Sequence, residues 1–229
     1  MPDSLLPLLY GALVPLKLTL KVSLTATAGA CAAGVAAGYA LSRRGLPGRE
    51  ILDAICTLPL VLPPTVMGYY LLVVFGRRGV VGQWLLERFG VTLVFTWQGA
   101  ALAASVVAFP LVCKAARTAF EGVDQGLENA ARTLGAGEGR VFMRVSLPLA
   151  WRGIVSGTML ALARAMGEFG ATLMIAGNLP GRTQTLSLAV YEAVQAGNDD
   201  QAAFLVILTS LVCVALLLAS GKLLSRKYA

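Results

Sequence analysis

Five long stretches of nearly unbroken apolar residues occupy most of this chain of 229 residues, and shorter polar segments separate them. A helix needs about 20 apolar residues to cross about 30 Å of hydrocarbon, and these stretches are long enough. Only 14% of the residues are charged and the mean hydropathy is +0.73, a balance that ordinary soluble domains do not reach. The pattern predicts an all-α polytopic membrane protein, and its continuous runs exclude the weak alternation of a β-barrel.

The predicted spans form one membrane domain that covers residues 1–229, without an appended soluble domain. Span 1 is rich in Ala and Gly, which let helices approach closely in lipid. A shorter apolar stretch, residues 5–16, precedes span 1 and contains Pro7 and Pro15; we expect an interfacial lead-in there, with a sixth span as the alternative. The five spans are expected at residues 17–41, 51–75, 91–113, 153–176 and 202–221.

Basic residues are concentrated on one side of the predicted membrane domain. Residues 42–50, residues 114–152 and the C-terminal tail together carry twelve Lys and Arg. Because cytoplasmic loops are rich in Lys and Arg, we expect these segments in the cytoplasm and the N-terminus outside, in a bacterial-type plasma (inner) membrane. The net charge of +7 therefore reflects membrane orientation, and no nucleic-acid partner is expected.

Groups for catalysis or metal binding are scarce. The chain has no histidine, and its four cysteines lack metal-binding spacing, so neither a metal site nor a catalytic residue is predicted. It has no Gly-x-x-x-x-Gly-Lys phosphate loop and is not expected to hydrolyse ATP itself. A passive channel or an intramembrane enzyme remains the alternative class, although the intramembrane acids Asp53 and Glu168 are far apart in sequence.

The long loop between spans 3 and 4 predicts a helix–turn–helix elbow. Asp124 can cap a first helix that ends near Thr133, and three alternating glycines in residues 135–139 allow a sharp turn. A second short helix follows through residues 141–145, and Pro148 suits the start of span 4. Such an amphipathic elbow fits a groove of a partner protein; the alternative is an ordinary interfacial loop.

This loop resembles the cytoplasmic EAA loop of ABC-transporter permeases, whose pattern is Glu-Ala-Ala, three residues, Gly, nine residues, an aliphatic residue, any residue and Leu-Pro. All positions match except the first, where Asn129 replaces Glu and Glu128 precedes it. The resemblance implies the type I ABC importer permease fold, with a coupling loop at about residues 116–150 that contacts an ATPase. The coupling residues that it implies are Glu128, Asn129, Ala130, Ala131, Arg132, Thr133, Leu134, Gly135, Val145, Leu147 and Pro148.

Three further stretches resemble the molybdate permease group. Residues 58–69 are similar to its span 2, and residues 75–79 and 163–171 are also similar to this group. Sulfate permeases share the Gly-Glu-Phe-Gly sequence of the third stretch. The first two stretches therefore favour molybdate, with sulfate and tungstate as alternatives.

The resemblance to this family implies an assembly with separate parts. Two copies of the chain would form a homodimer with the anion path between them. Two cytoplasmic ATPase subunits would hold the coupling loops, and an extracytoplasmic oxyanion-binding protein would deliver the anion. The chain itself would bind no cofactor, since ATP and magnesium would belong to the ATPase.

Irregular and charged positions within the spans are candidates for the translocation path or gate. Irregular backbone at membrane depth is tolerated only when it is buried in protein or lines a cavity, and charged groups there are functional candidates by default. A packing kink and a self-neutralising structural pair are the respective alternatives. The candidates are Pro59, Pro63, Pro64 and Gly68 in span 2, and Arg164 and Glu168, which lie four residues apart, in span 4.

Three arginines are expected at an outer mouth: Arg77, Arg78 and Arg182. Positive charge at such a mouth concentrates anions, although a solvated basic loop is the alternative. Residues 80–89 predict a short interfacial helix, which could contact the delivery protein.

Overall fold

The computed structural model describes the backbone of residues 2–43, 45 and 47–225, and the side chains of residues 9–43, 45 and 47–218. This described part is helical and contains no strand, which confirms the predicted fold class. The helices are α1 (Pro2–Ser42), α2 (Arg49–Val61), α3 (Pro64–Phe75), α4 (Val80–Phe89), α5 (Trp97–Glu121), α6 (Gln125–Thr133), α7 (Glu138–Val141), α8 (Leu147–Met166), α9 (Gly170–Ala176), α10 (Leu186–Gln195) and α11 (Asp199–Ser225), and a π-helical segment (Phe142–Ser146) joins α7 to α8.

Four helical segments of the described chain are long and apolar enough to cross a membrane, and α2 with α3 forms a bent fifth candidate. The number of spans thus agrees with the prediction. The four unbroken segments are Leu9–Ser42, Trp97–Glu121, Glu138–Met166 and Asp199–Leu218.

The bent pair of α2 and α3 is one broken span. Its two helices differ in direction by 112°. At one end Arg49 forms an ion pair with Glu121, the last residue of α5. At the other end Gly76, just after α3, lines a cavity with Phe95, just before α5. Because the pair connects the two ends of α5, it crosses the membrane domain and does not return to the same face.

The irregular backbone expected from the prolines of span 2 is confirmed at Pro63 and Pro64, but not at Pro59. Pro59 lies inside α2 without breaking it, whereas the helix ends before Leu62 and restarts at Pro64. Since Pro64 is the first residue of α3, its missing N–H is tolerated. The prolines make a complete break where the sequence suggested a bend.

The interfacial lead-in expected at residues 5–16 is also wrong. The chain forms one helix of 41 residues, α1, through Pro15 and into span 1, which at 1.5 Å per residue is about 60 Å long. Packing of Ala12 and Leu16 against α10 and α11 accounts for this continuation. The hydroxyl of Thr19 also donates to the Pro15 carbonyl at 2.8 Å and accepts from the Leu186 N–H at 2.8 Å.

Small residues bring α1, α5 and α8 into close contact, as the composition of span 1 predicted. A Cβ atom on Gly38 would lie 2.7 Å from the Cys113 carbonyl oxygen, and one on Gly157 would lie 2.2 Å from the Cβ of Ala115. Glycine at these positions lets the backbones approach closely, as in other membrane bundles. The main core cluster lies between these helices.

Several boundaries differ from the predicted spans. α5 begins later than span 3 because the Thr96 hydroxyl caps it by accepting from the Gly99 N–H at 3.1 Å, and it continues to Glu121. The helix of span 4 begins at Glu138 and stops at Met166, so α9 is separate. α11 is longer than span 5, α10 was not predicted, and α4 has the bounds that the sequence predicted.

Candidate functional site

The elbow between α5 and α8 has the local structure that its sequence predicts. Asp124 caps α6, since its Oδ1 accepts from the Gly126 N–H at 2.7 Å. Gly135 has a φ of 83°, a conformation that glycine adopts without strain, and it turns the chain towards α7. Pro148 lies in the first turn of α8. The first helix and the turn are confirmed, whereas the second helix is continuous with span 4 from Glu138 onwards. The contact of the elbow with an ATPase stays a prediction.

The faces of α6 have an unusual distribution of polarity. Leu127 is 50% exposed and Leu134, just after the helix, is 88% exposed. Glu128 is the buried residue of α6, with 5% exposure. The two leucines of α6 and its C-terminal end thus face away from the subunit, and a carboxylate faces the membrane helices.

Glu128 lies at the centre of a cluster of polar contacts. Arg43 donates to both carboxylate oxygens, at 2.6 Å and 3.2 Å. Ser146 donates to Oε1 at 2.6 Å, and Arg132 donates to Oε2 at 3.3 Å. The Arg43 hydrogen bonds are the largest cause of a lowered pKa at Glu128, and the same bonds raise the pKa of Arg43. Sequence analysis missed Arg43 because 85 residues separate it from Glu128.

The other predicted coupling residues lie on α6 or next to it. The amide oxygen of Asn129 accepts from Arg132 at 2.9 Å, and Thr133 donates to the Asn129 carbonyl at 3.0 Å. Arg132 also binds Glu138 at 2.6 Å, the largest cause of the raised pKa of Arg132. Ala130 and Pro148 are exposed, and the half-buried remainder is Ala131, Val145 and Leu147.

The structure brings most of the predicted path residues together, at two adjacent interruptions between helices. We call residues 62–63, between α2 and α3, and residues 167–169, between α8 and α9, the paired breaks. A Cβ on Gly170 would lie 2.9 Å from the Cβ of Pro64, and one on Gly68 would lie 2.6 Å from the Cβ of Met174. Pro59 is the exception, because it lies within α2.

Arg164 and Glu168 form an ion pair beside the paired breaks. The Nη1 atom of Arg164 lies 2.7 Å from Oε2 of Glu168, whose side chain is 2% exposed. The other oxygen, Oε1, accepts from the Ala171 N–H at 2.9 Å. Glu168 therefore neutralises Arg164 and satisfies a free backbone donor in the first turn of α9, while a role in a gate stays a prediction.

The predicted outer-mouth arginines occupy two places. Arg77 and Arg78 line a cavity of 650 Å³ with Val94 and Phe95, at the end of α5 opposite to the elbow. Arg182 is exposed on the loop between α9 and α10. Arg77 and Arg78 lie just after the C-terminal end of α3, and Arg182 lies after the C-terminal end of α9. Both helices begin at the paired breaks, so these arginines lie at the ends farther from the breaks.

Four unbroken helical spans in the described chain, a fifth that is broken at residues 62–63, and a helical elbow between α5 and α8 define a polytopic helical membrane protein. The chain belongs to the family of binding-protein-dependent transport system inner membrane components, whose sequence profile matches residues 30–229. Permeases of this family are multi-pass inner membrane proteins. The prediction of a permease of this family is confirmed.

Two curated relatives illustrate the similarity. The chain is 48% identical over 204 residues to the molybdenum transport system permease protein ModB of Escherichia coli K12, covering 89% of each chain. It is 37% identical over 207 residues to sulfate permease 2 of Chlamydomonas reinhardtii, covering 90% of this chain and 56% of that protein. Both are named as permeases, which agrees with the predicted transport subunit.

The fold resembles that of a solved ABC transporter subunit. A chain of the inward-facing MetNI methionine ABC transporter superimposes with a TM-score of 0.77 over 96% of this chain and 97% of that chain. The sequence identity is 19%, so the likeness shows the fold alone. It confirms the predicted ABC importer permease fold.

Proposed function

We propose that the chain is the membrane-spanning permease subunit of an ATP-driven importer of molybdate. The observation that carries this proposal is the 48% identity to a molybdenum permease across 89% of both chains. The sulfate relative is less similar, at 37% identity. Tungstate resembles molybdate in charge and shape and remains a competing substrate.

A homodimer fits the exposure of the broken span. No side chain of α2 is buried in the single chain, and Pro63 and Pro64 at the break are exposed. Non-helical backbone at membrane depth requires cover by protein or by a water-filled cavity. A second copy supplies this cover, and the anion path then runs between the two copies, beside the paired breaks.

Two ATPase subunits would dock on the elbows of the dimer. The exposed Leu127 and Leu134 offer each ATPase an apolar contact on a short helix, a mode by which helices fit partner grooves. ATP and magnesium would be bound by that partner. The elbow and the C-terminus would face the cytoplasm, where the positive-inside rule places basic loops.

An extracytoplasmic oxyanion-binding protein would deliver the anion at the opposite face. Arg77, Arg78 and Arg182 lie on that side and are exposed. Their positive charge would raise the local anion concentration. The few fixed charges near the paired breaks fit weak contact during passage, with affinity residing in the delivery protein.

The test is uptake by proteoliposomes that contain the chain, its ATPase and its binding protein. We expect molybdate uptake that needs ATP and both partners, with sulfate competing poorly at equal concentration. Uptake without the ATPase would support a passive channel instead. Preferential uptake of sulfate would contradict the proposed substrate, and the comparison with tungstate ranks the remaining alternative.

A further inference from the structure

The attachment of α6 to the rest of the subunit is polar. Its apolar neighbours Leu127 and Leu134 are exposed, and its buried residue is Glu128. A helix of nine residues is too short to be stable alone in water, so its orientation depends on such contacts. The carboxylate of Glu128 joins α6 to Arg43, directly after α1, and to Ser146 on the π-helical segment.

Arg43, directly after α1, is held in a fixed position by aromatic residues. Its guanidinium lies 4.4 Å from the centre of the Tyr39 ring and donates to the Tyr39 hydroxyl. Tyr39 in turn packs edge-on against Phe120 at 5.1 Å and against Phe142 at 4.6 Å. Arg43 is thus part of an ordered cluster in which α1, α5 and the π-helical segment meet.

The two donors of Arg43 bind the two oxygens of Glu128. Such a bidentate pair fixes direction as well as distance, and hydrogen bonds between charged groups are about twice as strong as neutral ones. Ser146 holds Oε1 from the other side, and its hydroxyl lies one residue before α8. One carboxylate therefore links α6 to the end of α1 and to the start of α8.

We propose that Arg43 is the positioning residue that joins the coupling helix α6 to α1, so that movement of α6 is transmitted to α1 through Glu128 and to α8 through Ser146. This inference rests on the proposed function, because it assumes that an ATPase moves α6. In this arrangement Glu128 binds residues of its own subunit, Arg43 and Ser146, and does not contact the ATPase. The neighbouring exposed residues of α6 are left to contact the ATPase.

The test compares Arg43→Gln with Arg49→Gln in the complete reconstituted transporter. Arg49 is a matched control, because it also forms an arginine–carboxylate pair, with Glu121, but this pair joins α2 to α5 and leaves α6 untouched. The measured quantities are ATP hydrolysis, anion uptake per ATP hydrolysed, and hydrogen–deuterium exchange of the α6 amides.

Arg43→Gln is expected to retain ATP hydrolysis, to lower uptake per ATP about tenfold, which corresponds to about 1.4 kcal/mol, and to speed exchange of the α6 amides. Arg43→Lys keeps the charge and loses the planar guanidinium. Its uptake per ATP and its α6 exchange are expected to lie between those of the unchanged protein and of Arg43→Gln. It serves as the test variant if Arg43→Gln does not assemble. Arg49→Gln is expected to show the same uptake per ATP and the same exchange of the α6 amides as the unchanged protein.

Three results would overturn the inference: coupling that is unchanged in both Arg43 variants, α6 exchange that is unchanged, or equal loss of coupling in Arg49→Gln. The exchange measurement needs no transport. If the unchanged complex shows no ATP-driven uptake, the proposed function fails, and exchange still reports whether Arg43 holds α6. The two failures are therefore distinguishable.

Discussion

Gly170 packs directly on Pro64, so that a Cβ atom at position 170 would lie 2.9 Å from the Cβ of Pro64. The first residues of α3 and α9 thus meet beside the two breaks, one within the α2–α3 span and one directly after α8. One helical turn further, Gly68 is equally close to Met174. The paired breaks are therefore one packed unit, and a movement of α9 must be accompanied by α3.

The first prediction concerns the close approach at Gly170. Gly170→Ala inserts a methyl group where the neighbouring atoms are too near, and such overpacking costs about 1–3 kcal/mol. We expect a lower thermal unfolding temperature in detergent. Gly11→Ala is the control, because no atom lies within 4 Å of its added Cβ. Equal unfolding temperatures for the two variants would contradict the prediction, because they would show that α3 and α9 can accommodate the added methyl group without loss of stability.

A second prediction separates the two roles considered for Arg164 and Glu168. Arg164→Met leaves the carboxylate of Glu168 buried without its cation, and breaking a buried pair costs about 3–5 kcal/mol. Adding Glu168→Gln removes the charge, while the new amide oxygen still accepts from the Ala171 N–H. We expect the double variant to recover most of the thermal stability of the unchanged protein.

Transport by that double variant then decides between gate and structural pair. Stability without transport assigns the pair to the path, whereas stability with transport assigns it to the fold. Exchanging the two charges, the obvious test from sequence, is less informative. It would place an arginine donor at position 168 opposite the Ala171 N–H, which would lose its acceptor. The stability of the fold would therefore fall whatever the role of the pair.

Local signals made the elbow and α4 predictable. Asp124 and the glycine at 135 act on their immediate neighbours, and the mixed apolar and polar segment 80–89 is followed by a glycine, so these boundaries follow from local sequence. The apolar runs likewise revealed where the spans lie. These features depend on residues that are close along the chain.

Features that depend on distant contacts were not predictable. The continuity of α1 through Pro15 relies on packing against α10 and α11. The burial of Glu128 depends on Arg43, which belongs to another loop. The 112° angle at the break after Val61 is accompanied by packing of α3 on α9, a distant helix that no local pattern indicates.

The third prediction tests the cap of α6. Asp124→Ala removes the acceptor for the Gly126 N–H, and loss of such a cap costs about 1 kcal/mol. Since that energy corresponds to about a fivefold change in an equilibrium constant, we expect the ATPase to bind about fivefold more weakly. Asp124→Asn keeps a good cap and should bind as before. A titration of the ATPase against the reconstituted chain measures both, and equal weakening would attribute the effect to the lost charge.

The fourth prediction follows from the lowered pKa of Glu128. A carboxyl whose pKa is lower in the folded protein contributes stability that is complete above its ordinary pKa, about 4.3. This contribution is lost as the pH falls through the lower, folded value. The elbow should therefore hold its position from pH 7 to about 5 and loosen below about 4.3.

Spin labels at Thr133 on α6 and at Ala40 on α1 would report this loosening as a broader distance distribution. Arg43 and Arg132, which face Glu128, stay charged throughout, and Glu138 faces it only through Arg132. The response should shrink in Glu128→Gln. An identical response in that variant would assign the pH dependence to Glu138.

The last prediction tests the orientation of the chain in the membrane. In a variant without its native cysteines, Arg78→Cys and Thr133→Cys each place one thiol at an exposed position, at opposite ends of α5. A reagent that cannot cross the membrane should label position 78 in intact cells and position 133 only after permeabilisation. The physical reason is the excess of Lys and Arg around the elbow, which holds that side in the cytoplasm. Labelling of position 133 in intact cells would place the elbow outside, where no ATPase can reach it, and coupling through α6 would then be impossible.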